Sequence, residues 1–423
     1  MTEEYLYRIW SKRLFTQDGH VTALGERIEV ISPGERNLHS GPDFFNARIR
    51  IGDTEWAGNV EIHVRASDWH LHAHKGDKAY DQVILHVVYE ADAEIFRKDG
   101  KVVPMLVLKD AIQTEYRFDT ATPFMPERAI PCASLLRQVA DVPWDSTKEQ
   151  LIQRRLHRRA GELADMLRFH EGDVESCFFE LIARAMGAKV NAEPFGQLSR
   201  AMPFRHLLRY ADDLPTLESL FFGLAGFLDQ RFNDEYPRAL QNQFRFLQQK
   251  HELKPMPAER WRFMRLRPVN FPTLRISQLA DMIHRNGALY DRIIACLGID
   301  TVIPLLDVRS STYWNNHFVF DKMSSHASRK RLGASGMYTI IINAVVPYLY
   351  FQGTLLQRPE LSNRACSFLK SLPPEHNACI VTWKQASIQA FNAYDSQALL
   401  ELYCHACKFK KCLTCGIGKH LLQ

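Results

Sequence analysis

The sequence predicts an α+β protein, with a β-rich N-terminal domain followed by a larger, mostly α-helical region. Three observations predict it. Between residues 27 and 108, apolar and polar residues alternate as in a half-buried strand, or run on as in a strand buried on both faces. Beyond residue 146 the apolar spacing changes to three and four, the period of a helix face. Between them, residues 118–143 lose both periods and carry Pro123, Pro126, Pro131 and Pro143, the punctuation of a boundary. The chain has 423 residues, beyond the ~250–300 at which a single core stops growing. The expected division is 1–125, the β-rich domain; 126–400, mainly helical, with a break near 255–272; and 401–423, a cysteine-rich metal-binding tail.

Residues 1–15 predict a helix, with Tyr5, Ile9, Trp10 and Leu14 near helical spacing. Arg27 to Ile31 is a short alternating strand ended by Ser32-Pro33-Gly34. Phe45 to Ile51 alternates again, and Gly52-Asp53 forms a tight turn. Glu55 to Val64 follows, with Trp56, Val60, Ile62 and Val64 on one face and Glu61, His63 and Arg65 on the other. Val83 to Tyr89 is almost continuously apolar, as a central strand should be. Val102 to Leu108 carries Pro104, which assigns it to a sheet edge. Ser146-Thr147-Lys148-Glu149 reads as a capping box, and Ile152, Leu156, Ala160, Leu163 and Leu167 form the stripe behind it. Further helices are expected at 174–186, 216–230, 236–250, 276–285, 336–350 and 394–404.

Composition bounds the function classes. With 46% hydrophobic and 24% charged residues, this is an ordinary globular chain. A net charge of +5 permits an anionic partner without demanding one. The start, Met1-Thr2-Glu3-Glu4-Tyr5, is acidic where a secretory signal is basic and then apolar. The most apolar stretch, 337–351, contains Pro347 and is shorter than the ~20 residues that span a bilayer, so it reads as a buried helix and no membrane is expected. Scattered Cys132, Cys177, Cys296, Cys366 and Cys379 suggest buried thiols in a reducing, cytoplasmic setting. No protein partner is indicated.

The chemistry-bearing stretch is Ser40-Gly41-Pro42-Asp43-Phe44 followed by Gly58-Asn59-Val60-Glu61-Ile62-His63-Val64. An acid at the mouth of one strand is followed by an acid and a histidine on one face of the next. Six of the 17 histidines lie between His39 and His86, where an even spread would put about two. Asp43 and Glu61 make an oxygen-rich seat for Mg²⁺ or Mn²⁺, which polarises a phosphoryl oxygen and generates hydroxide near neutral pH. His63 then stands where it can orient water. The alternatives are a turn residue capping its own backbone at Asp43 and a solvated strand face at Glu61 and His63. His70, His72 and His74 read as exposed or helix-capping rather than ligating.

These parts resemble the PD-(D/E)xK nuclease superfamily, of restriction-endonuclease-like fold, over about residues 20–110. Pro42-Asp43 matches its Pro-Asp and Glu61 its second acid, while His63 stands where that superfamily has lysine. The resemblance implies a metal-dependent phosphodiesterase acting on nucleic acid. A histidine of near-neutral pKa can position or deprotonate water; it also suits a degenerate fold that binds nucleic acid or acts as a scaffold without cleaving. The longer string, with Asp68-Trp69-x-x-His72, Leu85-His86-Val87-Val88 and Arg267-Pro268-x-Asn270-Phe271-Pro272, is similar to an uncharacterised bacterial domain-of-unknown-function family and implies no activity. That resemblance extends to the cysteine-rich end.

Cys404-x-x-Cys407 and Cys412-x-x-Cys415 are two C-x-x-C pairs, a pattern that points thiolates at one ion and predicts tetrahedral Zn²⁺. A site using three of them, with His405 or a distant cysteine as the fourth, also fits, as does an iron–sulfur cluster. A helix end with incidental buried thiols is the plain alternative. Arg154 to Arg159 concentrates charge on the polar side of a helix and suits nucleic acid or an acidic partner, or equally a solvated face with intrahelical glutamate pairs. Arg262, Arg265 and Arg267 among Trp261 and Phe263 suit base stacking or a loop anchored by its aromatics. Gly333-Ala334-Ser335-Gly336 lacks a Walker lysine.

Overall fold

The computed structural model describes residues 3–16, 19–22, 25–37, 41–71, 80–96, 100–112, 130–136, 144–264 and 266–421. His39, Ser40, His72, His74, Asp77 and Arg265, with Pro123, Pro126 and Pro143, lie outside the described residues. The chain divides into two compact units, Met1–Pro126 and Glu127–Gln423, and is α+β: a mixed sheet in the first, helices dominating the second.

The first unit opens with helix α1 (Glu3–Ser11), which ends before Arg13 enters the left-handed region at φ 55°. Strands β1 (His20–Val21), β2 (Arg27–Ser32), β3 (Glu35–Arg36), β4 (Phe44–Ile51), β5 (Thr54–Arg65), β6 (Val83–Glu90) and β7 (Met105–Val107) form one sheet. Its order is β1-β2-β4-β5-β6-β7, with β3 also pairing β4. Pairing is antiparallel as far as β5, whereas β6 and β7 run parallel to it. Leu6, Ile9 and Trp10 of α1 join Val30, Ile49, Val60, Ile62, Leu85 and Val87 in one core. A smaller cluster of Ala66, Trp69, Val83, Val88, Ile95 and Val103 stands apart from it. The expected 102–108 strand narrows to β7, where the Pro104 carbonyl accepts from the His86 N–H at 2.8 Å.

β5 differs from the alternating strand the sequence predicts. Its first four residues are exposed, Trp56 included, while Val60, Glu61, Ile62 and His63 are buried in succession. The reason is a second neighbour. β4 pairs with β5 between Thr54 and Val60, and from Asn59 onward β6 joins the other edge. Gly58 sits at that junction, where an added Cβ would meet Ile84 Cγ2 at 2.5 Å and the Gln82 carbonyl at 2.9 Å. A side chain there would hold β6 away.

The second unit is helical around one continuous core that includes Leu253, Trp261 and Leu274. Its principal helices are α3 (Trp144–Phe169), α4 (Val174–Met186), α5 (Ala192–Arg200), α6 (Leu214–Leu224), α7 (Glu235–His251) and α8 (Pro272–Asn286). α3 begins at Trp144, so Ser146 lies inside the helix and is not its cap. α4 has the predicted bounds because the Asp173 side chain accepts from the Glu175 and Ser176 N–H groups. α6 ends before its predicted 230, since Gly226 has φ +77° and stands against the Met256 carbonyl. Later helices are α9 (Ala334–Ile340), α10 (Val346–Leu355), α11 (Pro359–Ser371), α12 (Ala378–Gln385), α13 (Ala393–His405) and α14 (Gly416–Leu421). A π-turn, Ile341–Val345, joins α9 to α10. The resulting run of 22 residues is longer than the expected apolar stretch, and by length and composition it could cross a bilayer; 56% of its most apolar window is buried.

Candidate functional site

The site forms where β4 begins beside the middle of β5. Phe44 pairs with Val60, which brings Asp43 opposite Glu61. The two acids then exchange bonds across the strands: the Asp43 N–H donates to Glu61 Oε2 at 3.1 Å, and the Ile62 N–H donates to Asp43 Oδ2 at 2.9 Å. Side-chain oxygens thus take the place of ladder carbonyls, and both carboxyl groups are held at one sheet position. From α1 the Tyr7 hydroxyl donates to the Asp43 carboxylate.

Glu61 is 4% exposed and His63 1%. Burial is the largest influence on Asp43, and the Glu61 charge adds to it; together they push its pKa up to about 7 against the Ile62 and Tyr7 hydrogen bonds. Burial pushes Glu61 up to about 8 against the bond from the Asp43 N–H. Burial, then the Asp43 charge, raises the Tyr7 hydroxyl well above its ordinary range. Two buried carboxyl groups this close hold protons near neutral pH unless a cation supplies the missing charge.

Histidine extends the group. His63 Nε2 is 3.6 Å from Glu61 Oε1, and His63 Nδ1 is 2.9 Å from His86 Nε2. The parallel register of β5 and β6 places His86 beside Glu61, and Trp69 packs edge-on against His63. Sequence reasoning singled out Asp43, Glu61 and His63 but passed over His86 and Tyr7. His86 had a signal: a polar residue inside the apolar run 83–89 needs a partner. Tyr7 had none, because its contact is tertiary. Asp68 accepts from the Arg65 N–H at 3.0 Å, and the short helix it opens, α2 (Asp68–Leu71), carries exposed His70.

The donor set suits a hard cation. Two carboxylates plus retained waters are what Mg²⁺ accepts. Among the described residues no group of three or more His, Cys, Asp or Glu side chains forms a ready-made metal cage, so water would complete the shell.

The cysteines are arranged differently from two symmetrical pairs. Cys404 lies in the last turn of α13 and is exposed, whereas Cys407 and Cys412 open two short 3₁₀ turns, Cys415 follows the second, and all three are half-buried. Burial pushes Cys407 up to about 12, with further contributions from Cys132, Cys415 and Cys412. Burial likewise raises Cys132, followed by Cys415 and Cys412. Cys404 acts on Cys379, which burial first pushes up to about 11, and Cys379 in turn acts on Cys407. Cys407, Cys412 and Cys415 thus lie within electrostatic reach of Cys132, although among the described residues no three of these thiols are grouped closely enough to hold a metal ion.

The 261–267 patch is tied to the core. Trp261 is 4% exposed and its indole N–H donates to the Ala225 carbonyl at 2.9 Å. The Arg262 N–H donates to Asn191 Oδ1 at 2.9 Å.

Residues 3–378 match the protein family described as "Protein of unknown function (DUF2851)". The match includes Asp43, Glu61, His63 and Cys132 and stops before Cys404, so it does not extend to the cysteine-rich end. No curated protein and no solved structure matches the chain.

Proposed function

Since the chain belongs to the DUF2851 family, whose description assigns no activity, we propose a function from its residues: a divalent-cation-dependent phosphodiesterase of nuclease type. The carrying observation is the buried Asp43–Glu61 pair, locked by reciprocal bonds at 3.1 and 2.9 Å. The mixed sheet, antiparallel up to β5 and parallel beyond it, supports the likeness to the restriction-endonuclease-like fold. Asp43 and Glu61 would hold Mg²⁺ or Mn²⁺, and Tyr7 would fix the Asp43 carboxylate. The cation, when bound, polarises a phosphoryl oxygen and lowers the pKa of bound water. His63, hydrogen-bonded to His86, would orient that water or accept its proton. In the helical unit, Zn²⁺ held by Cys407, Cys412 and Cys415, with Cys404 or Cys132 as fourth ligand, would serve as a staple.

The test is cleavage of single- and double-stranded DNA and RNA with Mg²⁺ or Mn²⁺ by the wild type, Asp43→Ala and Glu61→Ala. Each substitution is expected to lower the rate about a hundredfold or more, the scale of a metal's charge stabilisation. Equal activity in all three proteins sinks the assignment.

One observation favours a second reading, a non-enzymatic nucleic-acid-binding protein on a degenerate nuclease fold. His63 is 1% exposed and both ring nitrogens have neighbours, His86 at 2.9 Å and Glu61 at 3.6 Å. Retention of nucleic acid without cleavage in the same metals would select it.

A further inference from the structure

The helical unit contains a cleft of about 1,100 Å³ that no step of the proposed hydrolysis uses. Arg155, Arg158 and Arg159, at helical spacing on one side of α3, line it together with Arg184 of α4 and Arg200 of α5. Most of this charge is answered. Arg158 donates to Glu162 and Glu401, both at 2.9 Å. Arg159 pairs with Glu162. Arg184 pairs with Glu193 at 3.0 Å, and Arg200 Nε bonds Glu180 at 2.7 Å.

Arg155 is the exception. Among the described residues no carboxylate is in ion-pair contact with it, and its Nη2 donates only to the neutral Asn343 Oδ1, at 3.3 Å. Burial, then the charges of Arg159 and Arg158, push its pKa down to about 10, and it remains a cation at neutral pH. Glu375 and Glu401, on the same cleft lining, act on it from beyond ion-pair distance, so its charge is answered only in part.

The wall opposite holds both arginines through the π-turn. In a regular helix the Asn343 carbonyl would accept from the residue four places on, but that residue is Pro347, which has no N–H. The freed carbonyl accepts from Arg159 Nη2 at 3.2 Å. π-Turns inside helices concentrate at functional sites. Three buried polar atoms on the cleft lining lack hydrogen-bond partners: Arg159 Nε, a donor; Oε1 of Gln397, an acceptor on a side chain 1% exposed; and Oε1 of Glu401, which has Arg154 Nε at 3.7 Å. At the rim Phe169 is 61% exposed, with the Arg200 guanidinium 4.6 Å above its ring.

We propose that this cleft binds a nucleoside phosphate, with the phosphate on Arg155 and Arg159, a sugar or base donor on Gln397 Oε1, and the base against Phe169. Guanidinium forks match phosphate oxygens bidentately, and an exposed ring stacks on any base. The volume slightly exceeds the ~300–1,000 Å³ of a small-molecule site, so the ligand is a free nucleotide or the end of a strand.

The test is calorimetric titration of the full chain in EDTA with ADP, with an oligothymidylate and with inorganic pyrophosphate. EDTA removes the cation on which the Asp43–Glu61 reading depends, so failure here leaves that reading untouched. ADP or the oligonucleotide is expected to bind, and the tighter of the two identifies the source. Arg155→Met is expected to weaken binding about 10- to 100-fold. The melting temperature of the variant, measured alongside, separates lost binding from lost folding. No binding of any probe, pyrophosphate binding as tightly as both nucleoside probes, or full binding by Arg155→Met would each overturn the proposal.

Discussion

Two carboxyl groups facing each other inside a sheet resist ionisation, and for Asp43 and Glu61 that resistance makes stability depend on pH. Their ordinary values are 3.8 and 4.5, and the fold raises them to about 7 and about 8. Between about pH 4 and about 8 the native state therefore holds more protons than the unfolded chain. Stability is greatest below the unfolded values and falls as pH rises through the folded ones. The neighbouring groups are Tyr7, Glu3 and His63. The melting temperature should fall between about pH 5 and about pH 8, and Asp43→Asn should flatten that slope. Mn²⁺ at the upper pH should restore the wild type but not the variant. A flat wild-type profile, or an unchanged slope in the variant, would contradict the pairing. Asp43, Glu61 and His63 were legible because strand period and a Pro-Asp mouth are local signals. Burial on both faces of β5 was not, since it depends on β6 joining from Asn59.

At the scale of elements, the legible ones end in local chemistry. α4 keeps its predicted bounds because Asp173 caps it. α6 stops early for a tertiary reason, the Met256 carbonyl against Gly226. The cysteine turns show the same division. The C-x-x-C spacing was visible, but Cys132, hundreds of residues upstream, had no local mark tying it to them. Cys132 acts on Cys407 ahead of Cys415, Cys412 and Cys379, whereas Cys404 acts on Cys379, so under the proposed zinc staple Cys132→Ser should lower the zinc content more than Cys404→Ser. Metal analysis of the purified variants decides it. Equal zinc in the two variants, or greater loss in Cys404→Ser, would return the fourth position to the tail.

At the scale of the molecule, the apolar run 334–355 either belongs to the helical core or could face lipid. Leu349 is fully buried, so Leu349→Ala should cost about 2–5 kcal/mol in urea unfolding. A lipid-facing residue would show almost no loss. The β-rich and helical halves were legible because their apolar periods differ. The cleft was not, because its walls come from segments far apart in the chain. That distance affects the order of events at the ribosome. Tyr7, Asp43, Glu61, His63 and His86 all lie within the first 86 residues, and this group can close while most of the chain is unmade. Arg159 and its Asn343 carbonyl are 184 residues apart. At ~5–20 residues per second, that bond must wait roughly 10–40 s after Arg159 is joined. A chain released early would carry the finished carboxylate pair and a row of arginines with nothing yet to hold them.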